Sequence, residues 1–322
     1  MGLIEATYQK NFIRRYDGED YLHYFSASDF PELLDEPFSF LSGEYRLAGH
    51  FYASENARAG ELLIFCHGIG AGHRSYMQEI VALCRRGYTV LAYDNTGCCD
   101  SEGPDIISMS HSLADLDACL RHLKKEGIFQ RYYRVFVVGH SWGGFAAGNI
   151  ASIHDGIEKV VVISGFISTE RLLEDNLSGV AAPLRKTVLK RLCAFEKKAA
   201  PDYFCACTLD ALNGRKTRFL FAHSTDDAMV PYDHHTGYLK AHTDNPDVRW
   251  LICEGRKHNP NYTQDAVDYM NGKFAAFNQG VKNKTLKTPE DKRQFFADAD
   301  WRRMTAQDEA FWDQVRAFLE EP

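Results

Sequence analysis

Gly139-His140-Ser141-Trp142-Gly143-Gly144 sets a serine between two glycines in a G-x-S-x-G turn. Residues 134–138, Arg-Val-Phe-Val-Val, run up to it as a buried strand, and residues 145–150, Phe-Ala-Ala-Gly-Asn-Ile, leave it as a helix of small side chains. A sharp strand-to-helix turn holds its serine in a strained backbone conformation with the hydroxyl exposed, and the glycines relieve the crowding. The helix N-terminus behind it offers N–H groups and partial positive charge to a developing anion. G-x-S-x-G turns also occur without chemistry. The strand before and the helix after make Ser141 a candidate nucleophile.

On either side of this turn the chain alternates strand and helix. Residues 38–41 and 45–52 read as a hairpin around Ser42-Gly43-Glu44, and residues 61–66 form a short apolar strand ending in His67-Gly68-Ile69-Gly70. Helical spacing over 76–86 stops at Gly87, residues 88–93 form the next strand, and 111–126 form an amphipathic helix ending at Gly127. Strands follow at 159–164, 218–222 and 248–253, with a helix near 233–242. The pattern predicts one α/β domain over residues 1–322, a mostly parallel sheet with helices on both faces.

Two segments break the alternation. Residues 166–216 are too long for a simple crossover and largely helical in pattern, which predicts an inserted helical cap over the strand ends. Residues 271–303 are polar and charged and read as a solvated surface excursion. They precede 305–319, where Phe311, Val315 and Phe318 mark a packed final helix.

Composition limits the alternatives. The chain has 322 residues, 45% of them hydrophobic, enough for a sizeable core. Its net charge of −7 argues against a nucleic-acid surface. No run of about 18 apolar residues predicts a membrane span. Residues 1–7 lack a basic-then-apolar leader, and Ala6 breaks a myristoylation match. Nine cysteines, several in apolar runs, fit buried free thiols in a reducing cytoplasm better than a disulfide framework.

A serine hydroxyl needs a base to take its proton, and the base needs an orienting acid. The strand at 218–222 is followed by His223-Ser224-Thr225-Asp226-Asp227-Ala228-Met229-Val230-Pro231, and the strand at 248–253 by Glu254-Gly255-Arg256-Lys257-His258. With this Ser, Asp, His order the chain resembles the α/β-hydrolase superfamily over nearly its whole length. The family's acid loop ends D-x-x-V-P, which selects Asp227 and leaves Asp226 in reserve. Its histidine sits in a Gly-x-x-His turn, which fits His258. The resemblance also implies an oxyanion hole from the backbone N–H groups of Ile69 and Trp142, each worth about 3–4 kcal/mol in the transition state. It implies a substrate pocket near His67, Gly68, His140 and Met229. Residues 94–103 look like the family's D-x-x-G-x-G-x-S-x-G loop, with Cys99 where a glycine is usual.

Other constellations lack their partners. His234, His235 and His242 come without an HExxH or a paired cysteine set, and Cys205-Ala206-Cys207 is not a CxxC. No phosphate-binding loop or opening G-x-G-x-x-G is present, so neither metal nor nucleotide cofactor is expected. The resulting expectation is a cytoplasmic serine hydrolase acting on a small-molecule carboxylic ester, its selectivity set by 166–216 together with Ile69, Trp142 and Met229. Thioesterase, peptidase and acyltransferase chemistry use the same three residues, and a non-catalytic ligand-binding protein is the rival outside enzymes. Dehalogenase-like chemistry is disfavoured because it uses a carboxylate at the nucleophile position. Oligomeric state is left open.

Overall fold

The computed structural model describes residues 2–213 and 216–322. Among these residues a single sheet contains β1 Leu33–Ser42, β2 Tyr45–Ser54, β3 Glu61–Cys66, β4 Thr89–Tyr93, β5 Arg134–His140, β6 Lys159–Ile163, β7 Arg218–Ser224 and β8 Arg249–Cys253. Its order is β1-β2-β4-β3-β5-β6-β7-β8. β1 and β2 form the antiparallel hairpin around Gly43, β2 runs antiparallel to β4, and all remaining pairings are parallel.

The helices are α1 Leu3–Phe12, α2 Met77–Arg85, α3 His111–Lys125, α4 Trp142–Ile150, α5 Thr169–Asp175, α6 Ala182–Ala199, α7 Thr208–Leu212, α8 Thr236–His242, α9 Gln264–Lys282, α10 Pro289–Phe296, α11 Trp301–Met304 and α12 Glu309–Glu320. Successive side chains of a strand point to opposite faces, so each central strand feeds two cores. Leu62, Ile64, Val135, Val137, Val160 and Val162 pack in one cluster with Leu113 and Leu116 of α3 and Phe145 of α4. Leu63, Phe65, Phe136, Val138, Val161 and Ile163 pack in the other with Ile80 of α2 and Trp312, Val315 and Phe318 of α12. Burial on both faces explains why these strands read as unbroken apolar runs.

The expected strands and the helices at 77–85, 111–125 and 142–150 lie within a few residues of their sequence positions. The helix expected near 233–242 begins only at Thr236, after a 3₁₀ turn over Tyr232–His234. Residues 166–216, of which 214–215 lie outside the described residues, contain α5, α6 and α7. Residues 271–303 depart from the expected solvated excursion. They fold into the end of α9, α10 and the start of α11, and their aromatic rings form a packed layer. Phe296 is 2% exposed, and Tyr21 from the N-terminal segment stacks on both Phe277 and Phe296, with ring centroids 5.3 and 5.8 Å apart. High charge in the sequence masked this stripe because the charged side chains lie on the outer face, as in Arg293 paired with Asp20 at 2.5 Å.

Candidate active site

Strand register brings four loops to one end of the sheet. Cys66 pairs with Gly139, so the loop after β3 lies beside the turn that follows β5. Ser224 pairs with Cys253, which sets the loops after β7 and β8 side by side. Ligand sites of parallel α/β sheets lie at these carboxyl ends.

Ser141 sits between β5 and α4 with φ 55° and ψ −114°. A non-glycine residue with positive φ costs roughly 1–3 kcal/mol and persists only where its surroundings hold it. Here its N–H donates to the Ile163 carbonyl at 2.9 Å, and its own carbonyl accepts from the Phe145 N–H at 3.0 Å. The flanking glycines are required by close approach: a Cβ on Gly143 would collide with the Cys66 carbonyl, and one on Gly139 with the Gly143 carbonyl. Trp142 is the first residue of α4, so its N–H has no intrahelical acceptor. Its indole N–H donates to the Met109 carbonyl at 2.7 Å, which locks the start of the helix.

Asp227 and His258 meet. His258 Nδ1 donates to Asp227 Oδ2 at 2.7 Å, and His223 Nε2 donates to the same oxygen at 3.1 Å. The N–H groups of Met229 and Val230 donate to Oδ1 at 2.8 and 3.0 Å. Burial pushes the Asp227 carboxyl up, but hydrogen bonds from His223 and His258 outweigh it and hold the group below the usual carboxylate range. With Nδ1–H committed to Asp227, His258 Nε2 is a free acceptor. It is buried, with no hydrogen-bond partner among the described residues, so no bond to Ser141 is formed in this state.

The adjacent Asp226 does different work. Its Oδ1 accepts from the Gly255 and Lys257 N–H groups at 3.1 and 3.2 Å, and Lys257 Nζ lies 2.8 Å from Oδ2. It organises the turn before His258, where Lys257 has a φ of 52°.

The loop after β3 is shaped by His67, which is fully buried and does not line a pocket as expected. Its Nε2 accepts from the Asn95 N–H at 2.9 Å, so Nδ1 carries the hydrogen and donates to the Gly68 carbonyl at 2.7 Å. Burial lowers its pKa and favours the neutral ring this pattern requires. In a trans peptide the carbonyl and the following N–H point oppositely, so tethering Gly68 turns the Ile69 N–H away from His67. Gly68 has no room for a side chain: a Cβ there would strike the Tyr76 hydroxyl and lie 3.3 Å from Ser141 Cβ. Asp94 steadies the neighbouring loop by accepting from the His73 N–H and Nδ1 at 2.7 and 2.8 Å. Burial pushes the Cys99 thiol up to about 11, so it is not a ready thiolate.

A cavity of about 690 Å³ opens beside His258. Its lining includes Ile69, Tyr76, Met229 and His258, together with Met270, Phe274, Trp301 and Met304 and, from the N-terminal segment, Leu22 and Tyr24. None of the described residues of 166–216 lines it. That segment packs elsewhere. Tyr8 of α1 donates to Glu196 Oε1 at 2.7 Å, and Asp175 accepts from His235 Nε2 at 2.7 Å and pairs with His234 at 2.5 Å. His140 is also buried and is not among the residues that line the cavity, whereas Met229 lines it and is 64% exposed. Tyr76, Phe274 and Trp301 carried no sequence motif, and no local signal marks them as neighbours of the candidate site.

A model described as the alpha/beta hydrolase family matches residues 63–321. The chain belongs to the alpha/beta hydrolase family. Epoxide hydrolase 2 of Siraitia grosvenorii is 25% identical over 220 residues, 67% of this chain and 62% of that protein. Bifunctional epoxide hydrolase 2 of Rattus norvegicus is 31% identical over 96 residues, 30% of this chain and 17% of that one. A proline iminopeptidase of Saccharolobus solfataricus is 27% identical over 157 residues, 47% of each. The chain thus spans less than two thirds of the length of these curated relatives. Among solved structures, an esterase of Pyrococcus furiosus superposes with a TM-score of 0.59 at 17% identity, covering 88% of this chain and 98% of that one, a likeness of fold. No helix among the described residues is long and apolar enough to cross a membrane.

Proposed function

We propose that this alpha/beta hydrolase is a serine hydrolase that cleaves carboxylic esters through an acyl-enzyme. The observation that carries the reading is His258, oriented by Asp227 at 2.7 Å, with a buried Nε2 unpartnered among the described residues, on a loop whose main chain is bonded by His140, the residue before Ser141. Ser141 Oγ attacks the acyl carbonyl as its proton passes to His258 Nε2, and the oxygen takes the negative charge. The N–H groups of Ile69 and Trp142 receive that charge. His258 then returns the proton to the leaving alcohol as the C–O bond breaks, and water repeats the sequence to free the acid. Asp227, ionised by its four donors, holds the tautomer and stabilises the imidazolium.

The serine weighs against epoxide opening, despite the epoxide hydrolases among the relatives. Attack by Oγ on an epoxide carbon yields an ether, with no carbonyl for water to attack, and turnover stops. An acyl group suffers no such dead end. The cavity's methionine and aromatic wall favours esters with a bulky apolar acyl group over acetyl esters.

Ser141→Ala is expected to reduce hydrolysis of nitrophenyl esters by at least about 10³-fold and to abolish labelling by a fluorophosphonate. Near-normal turnover would exclude the serine mechanism, and a ligand-binding protein would show neither turnover nor labelling in the native chain. Parallel thioester and amide substrates separate ester chemistry from its neighbours on the same three residues.

A further inference from the structure

We propose that Tyr76 and His140 are positioning residues that tie the main chain of the base loop to the residue preceding the nucleophile. The inference rests on the serine mechanism above. Tyr76 OH lies 3.0 Å from His140 Nδ1, and His140 Nε2 lies 2.9 Å from the His258 carbonyl oxygen. A carbonyl can only accept, so His140 carries its hydrogen on Nε2. Nδ1 must then accept, and the Tyr76 hydroxyl is its donor. The tyrosine thereby selects the tautomer that lets His140 hold the loop.

The arrangement has a mechanical consequence. His140 is bonded in sequence to Ser141, and its ring reaches across to the backbone of His258, so one side chain spans nucleophile and base. The two imidazoles meet edge to face, 4.8 Å between centroids. Burial, reinforced by the neighbouring His258, pushes His140 down to about 3, so the ring beside the base stays neutral. A neutral ring adds no charge repulsion when His258 becomes an imidazolium. On the far side, Asp226 grips the Gly255 and Lys257 amides of the same turn. His258 is held through its Nδ1 and its carbonyl, and its Nε2 has no hydrogen-bond partner among the described residues.

The test uses the full chain, p-nitrophenyl acetate and a fluorophosphonate probe, with folding of each variant checked by thermal denaturation. His140→Phe keeps a ring but loses both hydrogen bonds, and is expected to lower kcat and the maximal labelling rate about 10–100-fold with KM and probe affinity nearly unchanged. His140→Gln, whose amide can still donate to the His258 carbonyl, is expected to recover most of that loss. Tyr76→Phe removes one oxygen atom, and is expected to cost about 3–10-fold alone and nothing further in the His140→Phe background. Folded His140→Phe with kcat within twofold of native overturns the proposal, as does His140→Gln no better than His140→Phe, or fully additive Tyr76 and His140 losses. Should His140→Phe not fold, Tyr76→Phe with an unchanged labelling rate overturns it alone. Failure of the serine mechanism would show separately, as turnover surviving Ser141→Ala.

Discussion

Two helical excursions leave the sheet of this protein, and they differ in what they face. Residues 166–216 carry α5 to α7 and dock on α1, α4 and the loop before α3, fastened by Glu196 with Tyr8 and the Met109 N–H. Residues 264–304 carry α9 to α11 and supply Met270, Phe274, Trp301 and Met304 to the lining of the cavity at His258. Sequence pattern assigned selectivity to the first, together with Ile69, Trp142 and Met229, and solvent to residues 271–303 of the second; yet none of the described residues of the first lines this cavity, and residues of the second do. An excursion's role follows from where its apolar stripe lands, and mean polarity does not report that.

The largest expected effect tests whether the second excursion is a packed layer. Phe296→Ala should cost about 3–5 kcal/mol in denaturant unfolding, because the ring is buried against Tyr21, Phe277 and Trp301. A solvated excursion would lose no more than about 0.5 kcal/mol. Phe274→Ala sharpens the contrast at the level of substrate. It should lower kcat/KM for a bulky acyl ester about tenfold and leave an acetyl ester little changed. Leu184→Ala on α6, 58% exposed, should leave both within about twofold. A larger effect at Leu184 than at Phe274 would return selectivity to the first excursion.

Each excursion also rests near a buried glutamate, and the pair separates by pH. Burial pushes both Glu79 and Glu196 up to about 7. A carboxyl raised in the folded state contributes stability that is full below about pH 4.3 and falls away as pH rises through 7. Glu196 has partners on both oxygens, whereas Glu79 accepts from Asn261 at 3.3 Å and its Oε2 has no hydrogen-bond partner among the described residues. Glu79→Gln should therefore flatten the stability profile between pH 5 and 8 and raise Tm at pH 8 by about 2–4 °C. Glu196→Gln should lower Tm at pH 6, since an amide nitrogen cannot accept from Tyr8 or Met109. Equal responses of the two variants would remove this distinction.

Much of the fold was legible because a two-sided sheet leaves a local signature. Residues 61–66, 134–138 and 159–163 are apolar on both faces and are bounded by turns, so their positions follow from short-range pattern. Ser141, Asp227 and His258 were legible for a similar reason, each standing in a short loop just after a strand. Asp227 and Asp226 are adjacent in sequence, yet His258 meets only the first, while the second shapes the turn. The Val230 N–H bonded to Asp227 is the physical content of the D-x-x-V-P spacing.

The rest depended on contacts between distant segments. His67 reads as part of a pocket motif, but the Asn95 amide arriving from the next loop turns it into a brace. Tyr76 and His140 are 64 residues apart, and no local pattern tells a histidine which of its nitrogens carries the hydrogen. Tyr21 meets Phe277 and Phe296 only because both chain ends fold over the same edge of the site. The sequence by itself determined the strands, the turn at Ser141 and the order of the three candidate residues, since each is encoded within a few neighbours by sterics and periodicity. Tertiary structure alone decided which helices wall the cavity and which side chains hold His258, because those outcomes depend on packing between segments that the chain connects only at long range.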